Sequence, residues 1–174
     1  VYAPRTPAPL LRAIENLAEN EVRLLKDVKI ETAGYIETRL KNMIGKYPIA
    51  SRVIEIRDSV PYLESLELME TAHCLLAVDA PADLSVFFPS KLADYIGSGR
   101  YIFAITPRGA SERIVREVGG AVADPSNDNE VYDTLRDILD KRPDSLPFSA
   151  AHYSRDVVCS ETMNIIARVI SQIL

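Results

Sequence analysis

The segment Pro89-Ser90-Lys91-Leu92-Ala93-Asp94 holds the residue types best suited to chemistry. A proline at the opening of a helix leaves the backbone amides of Ser90 and Lys91 without intrahelical partners. Those amides sit at the positive end of the helix dipole, which is a ready anion site. The Lys91 ammonium and the Ser90 hydroxyl can add to it. Asp94 follows Ser90 by four residues, one turn along on the same face. A carboxylate there can accept hydrogen bonds from two vicinal hydroxyls, so a phosphate at the helix tip with a ribose one turn on is a coherent nucleotide pose. By pattern alone an ordinary helix cap with solvated Lys91 and Asp94 is the simpler account, because short motifs recur by chance.

These residues need elements to hold them. Leu10, Leu11, Ile14, Leu17 and Ala18 recur at helical spacing over about 8–19. Val28, Ile30 and Thr32 alternate with charged residues and predict a strand closed by Gly34; Val53, Ile54 and Ile56 predict a second. Between these two strands, 37–46 is weakly helical, and Leu63 to Ala72 predicts a helix after the second. Cys74–Val78 and Tyr101–Ile105 are unbroken apolar runs, as expected of parallel strands covered on both faces. A helix is expected from Pro89 to about Gly97–Gly99, another over 111–118, a short strand at 121–123, and helices over about 127–141 and 155–173. Such alternation implies an α/β fold, a Rossmann-like doubly wound and mainly parallel sheet of about five strands with flanking helices. Ligands of such sheets bind beyond the carboxyl ends of the strands, which is where Ser90 falls.

Composition bounds the rest. At 174 residues with 47 % hydrophobic content, the chain suits one domain over residues 1–174, with a C-terminal helix within 150–174. The net charge of −5 gives no general basic surface for nucleic acid. No apolar run is long enough to span a bilayer. Cys74 and Cys159 lie far apart, and neither they nor His73 and His152 have zinc-site spacing. No metal or cofactor is expected; Cys74 is expected to be a buried thiol and both histidines to be structural. Neither G-x-x-x-x-G-K-[ST] nor G-x-G-x-x-G occurs. The opening Val1-Tyr2-Ala3-Pro4 reads as a cut inside a longer protein, with a strand expected just before Tyr2. Arg57, Asp58 and Val60 follow the second strand, where an ordinary solvated turn explains them.

Phe88-Pro89-Ser90-Lys91-Leu92-Ala93-Asp94-Tyr95-Ile96-Gly97-Ser98-Gly99-Arg100, followed by an apolar strand, resembles the P-S-K-L-x-E/D-Y-x-x-x-G-R/K-P-I segment of family-4-like (group 1) glycosyltransferases. Tyr2-Ala3-Pro4-Arg5-Thr6-Pro7 followed by Leu10-Leu11-Arg12-Ala13 is similar to the start of their C-terminal domain. Thr106-Pro107-Arg108-Gly109 and Glu117-Val118-Gly119-Gly120 are similar to later segments, so the resemblance spans about 2–140. It implies the donor nucleotide-sugar-binding half of a GT-B glycosyltransferase. Ser90 and Lys91 would hold the diphosphate, Asp94 the ribose, and Arg5 would supply counter-charge. Arg108 and Gly109, after the apolar strand ending at Ile105, are weaker candidates for the substrate site: Gly109 suits a tight turn, and Arg108 faces either the donor phosphate or water. The family's further glutamate, eight positions before the ribose carboxylate, is Val86 here, so its sugar contact is not carried over. Asp79 and Asp83 are candidates to substitute.

The resemblance further implies a UDP- or GDP-sugar donor and catalysis without bound metal. It also implies an acceptor and general base supplied by an N-terminal domain outside this chain, and a lean towards retention. Catalytic residues within the chain are not identified. A cytoplasmic setting, or one peripheral to the inner face of the membrane for the full-length protein, is expected. The alternatives are a non-catalytic nucleotide-binding module and one half of a nucleotide-sugar epimerase on the same scaffold.

Overall fold

The computed structural model describes residues 5–147, 153 and 155–173. Strand and helix alternate along it: α1 Ala8–Asn20, β1 Ile30–Ala33, α2 Thr38–Ile44, α3 Ala50–Val53, β2 Ile54–Arg57, α4 Tyr62–Thr71, β3 Cys74–Val78, α5 Ser90–Ser98, β4 Tyr101–Ile105, α6 Ala110–Glu117, β5 Ala121–Ala123, α7 Asp128–Lys141 and α8 Arg155–Ile173. Every strand pair is parallel. The expected five strands are present, but among the described residues they form two sheets, β1-β2 and β3-β4-β5, with no hydrogen bonds between them. Apolar packing joins what hydrogen bonds do not. One cluster takes Leu11, Ile14 and Leu17 from α1, Phe103 and Ile105 from β4 and Val131 from α7, with Ile30, Ile54 and Ile56 of the smaller sheet packed against it. A second core on the other face takes Leu92 and Ile96 from α5, Ile102 and Ala104 from β4, and Val115 from α6. Alternate residues of β4 therefore feed opposite cores, the signature of a strand covered on both faces.

α1 owes its position to its apolar stripe and to two polar fixings. Arg12 donates from both Nε and Nη2 to the Asp128 carboxylate, at 2.7 and 2.6 Å, which ties α1 to the start of α7. Glu15 Oε1 accepts from the amides of Ile49 and Ala50, at 2.8 and 3.0 Å, and so caps the short helix α3. The N-terminal motif residues Tyr2, Ala3 and Pro4, and His152, lie outside the described residues. His73 is exposed. Cys74 is a free, partly buried thiol whose pKa burial pushes up to about 12. Such a thiol is inert as a nucleophile at neutral pH. Among the described residues no helix is long and apolar enough to cross a membrane.

Candidate functional site

α5 connects two parallel neighbours, β3 and β4, so it must start at the carboxyl edge of the sheet and run back to the amino edge. Pro89 is the N-cap rather than the first helical residue, and no side chain caps the helix. The Leu92 amide bonds the Pro89 carbonyl at 2.9 Å, which leaves the amides of Ser90 and Lys91 as the open pair. Leu92 and Ile96 face the core; Ser90 and Asp94 share the opposite, exposed face. At the far end Gly99 closes the helix at φ 69°, in the left-handed region.

Two loops border this helix tip. The segment 79–89 leaves β3, and 106–109 leaves β4. They are laced together: the Ser85 amide donates to the Arg108 carbonyl at 2.8 Å and the Ala110 amide to the Ser85 carbonyl at 3.2 Å. The Ser111 hydroxyl donates to the Phe87 carbonyl at 3.0 Å. Gly109, at φ 143°, makes this approach possible, because a Cβ there would lie 1.8 Å from the Ser85 carbonyl oxygen. Its own amide is taken by Glu112 Oε2 at 3.2 Å, so Gly109 shapes the site through the backbone.

Arg5, from the segment just ahead of α1, reaches across to this corner. Its Nε donates to Asp79 Oδ1 at 3.3 Å, and its guanidinium lies 4.8 Å from the centre of the Phe87 ring. Asp79 is the first residue beyond β3, with its amide bonded to the Ile105 carbonyl, and it is 7 % exposed. Lys91 completes the group. As a whole residue it is exposed, yet its ammonium end is crowded by protein. Desolvation there lowers its pKa first and the Arg5 charge second; Asp79 pulls the other way. Two cations thus couple electrostatically at the corner where α5 begins, an arrangement that suits a polyanion.

Of the six residues singled out in the sequence, Arg5 and Lys91 are brought into one electrostatic group. Ser90 and Asp94 lie one turn apart on α5. Arg108 and Gly109 stand on the adjoining loop, Arg108 exposed. Asp83 is exposed. Phe87 carries no signal in the sequence beyond its place in an apolar run, and the fold makes it a platform for Arg5. Arg57 is committed elsewhere, to Glu31, Glu55 and Glu64 at 2.6, 3.2 and 3.7 Å, and Asp58 is almost fully exposed. Arg57 is thus not in a turn after the second strand, as the sequence suggests, but the last residue of β2, held by carboxylates on its own and neighbouring elements; Asp58 fits the solvated-turn reading.

Two surface cavities, of about 540 and 440 Å³, lie away from this corner. The larger is lined by Tyr101 and Ala121, the first residues of β4 and β5, and so opens on the opposite edge of the sheet. The cations around it are already paired: Arg116 with Glu112, and Arg136 and Lys141 with Asp137. Volume favours that edge; the open amides at the start of α5, with Lys91 in no ion pair among the described residues and Arg5 paired with Asp79, favour the carboxyl edge.

No family model matches the sequence, and no curated protein does. Solved structures do match. Anabaena Alr3699/HepE, solved in complex with UDP-glucose, superposes with a TM-score of 0.62 at 16 % identity, over 95 % of this chain and 44 % of that one. The pneumococcal O-GlcNAc transferase GtfA, in complex with UDP and GlcNAc, gives 0.58 at 12 % identity, over 97 % and 33 %. WaaG, a glycosyltransferase involved in lipopolysaccharide biosynthesis, gives 0.58 at 20 % identity, over 76 % and 34 %. The chain therefore has the fold of the C-terminal half of GT-B glycosyltransferases, and it spans between a third and a half of the length of these proteins.

Proposed function

We propose that this chain is the donor-binding half of a glycosyltransferase. It takes a nucleotide-sugar, UDP- or GDP-linked, at the tip of α5. The Ser90 and Lys91 amides hold the diphosphate, and the Lys91 and Arg5 side chains supply counter-charge. Asp94 accepts from the ribose hydroxyls, and Arg108 stands at the rim. The carrying observation is the uncapped start of α5 at the carboxyl edge with Arg5 and Lys91 beside it. That two proteins of the same fold were solved with UDP or UDP-glucose supports the reading.

In transfer, such a site would stabilise the departing diphosphate through fixed dipoles and cations, which requires no metal. The acceptor and the general base would come from an N-terminal domain, so the 174-residue chain should bind donor without catalysing transfer. A cytoplasmic placement, or one peripheral to the inner face of the membrane, belongs to the same reading. Titration calorimetry of the chain with UDP, GDP and their sugars tests it. Saturable binding that survives excess chelator is expected; absence of binding by every nucleotide, or turnover by the chain alone, would overturn it.

A further inference from the structure

Asp79 is half-satisfied in an unusual way. Both of its donors, the Ala80 amide at 2.8 Å and Arg5 Nε at 3.3 Å, converge on Oδ1. Oδ2 is buried and has no hydrogen-bond partner among the described residues. An arginine free to choose would grip both oxygens in a fork; here the guanidinium is instead turned over the Phe87 ring. A carboxylate oxygen out of water with nothing to accept from bears the full cost of its desolvation, and native structures rarely leave one so.

The diphosphate cannot be the missing partner, because an anion has no hydrogen to give. The ribose is already assigned to Asp94, whose charge is felt at Tyr95, whereas Asp79 and Arg5 are the charges felt at Lys91. Asp79 stands at the end of β3, bonded to Arg5, whereas Asp94 stands a turn along α5. Resting on the donor-site reading above, we propose that Asp79 Oδ2 accepts a hydrogen bond from the 6-hydroxyl of the donor's sugar, which makes the site selective for neutral or amino hexoses over uronates, whose C6 is a carboxylate. A sugar hydroxyl satisfies the orphaned oxygen, while a sugar carboxylate would meet a buried like charge.

The test is calorimetry on wild type and Asp79→Asn, with thermal melting to confirm that both fold. The probes are UDP, UDP-glucose and UDP-glucuronate, with GDP, GDP-mannose and GDP-mannuronate in parallel. In wild type the neutral nucleotide-sugar should bind about tenfold or more tighter than its uronate counterpart, the scale of one hydrogen bond to a charged group. In Asp79→Asn that gap should close. The variant should also lose affinity for the neutral sugar nucleotide while keeping or gaining affinity for the nucleoside diphosphate alone, since a repelling anion is gone. Equal weakening towards diphosphate and sugar nucleotide would mean that Asp79 merely holds Arg5, and would overturn the proposal. So would equal binding of glucose and glucuronate forms by wild type, a result that does not depend on the variant. Failure of wild type to bind any nucleotide would instead overturn the donor-site reading, and this inference with it.

Discussion

The two parallel sheets of this molecule are built on different terms. β3, β4 and β5 are apolar along their length, and β4 places side chains in a core on each face. β1 and β2 alternate, and only their isoleucine side is packed. Their other side carries Glu31, Glu55 and Arg57, linked with Lys29 in a surface network of ion pairs at 2.6 to 3.2 Å. Exposed pairs of this kind contribute little, because water screens them and two long side chains must be held still. The candidate site grows from the loops of the three-stranded sheet. Loops that must keep charged groups in place are thus anchored in the part of the fold that hydrophobic burial fixes most firmly.

The sharpest way to break this contrast is Ile105→Ala, at the site end of β4. Ile105 is fully buried, so the cost should be about 2–5 kcal/mol by chemical denaturation. A loss no larger than that of a surface substitution would show the three-stranded sheet to be as forgiving as its neighbour. Next comes Asp94→Ala, expected to leave stability intact and to weaken nucleoside diphosphate binding by about 1.5–3 kcal/mol. Equal affinity in the calorimeter would remove the ribose from this carboxylate. Gly109→Ala forces a Cβ against the Ser85 carbonyl and should cost ~1–3 kcal/mol of stability. Since Gly109 touches no ligand in the proposed pose, any loss of nucleotide affinity in that variant reports displaced loops.

Lys91→Ala should have a smaller effect on binding than Asp94→Ala, and one that shrinks with added salt. Lys91 also carries a pH signature. Its pKa lies below the ordinary lysine range, and the diphosphate prefers the charged form. Affinity should therefore be level while Lys91 is protonated and fall as pH rises through its depressed pKa. Lys91→Arg should flatten that fall; an unchanged profile would separate the lysine charge from binding. The smallest effect belongs to the other sheet: Lys29→Ala, which severs two exposed pairs, should leave the melting midpoint nearly unmoved.

How far the sequence carries depends on whether the governing interactions are local. The apolar runs at 74–78 and 101–105 announce covered strands, and Pro89 with Gly99 brackets α5 to within a residue. Helix α3 left no such trace, because its cap is Glu15 from α1, more than thirty residues away. The division into two sheets was equally illegible, since a strand's own pattern does not tell which neighbour it bonds. At the candidate site, the local part of the pose (Ser90, Lys91 and Asp94 on one helix) follows from spacing. The pairing of Arg5 with Asp79 over Phe87 joins residues 74 apart in the chain. The sequence offers Asp79 only as a replacement carboxylate; its one-sided coordination depends on Arg5 and Ala80 meeting it in the fold.

The seam between Ser85 and Gly109 has a consequence for how the molecule breathes. Loop amides ordinarily trade their hydrogens with water as fast as free peptide, yet Ser85 and Ala110 donate across this seam, and the Asp79 and Thr106 amides extend the ladder beyond the strands. These amides should open only when the two loops part together. In a deuterium-exchange map they would form a slow island beyond the end of the sheet, surrounded by the rapidly labelled amides of the open helix tip.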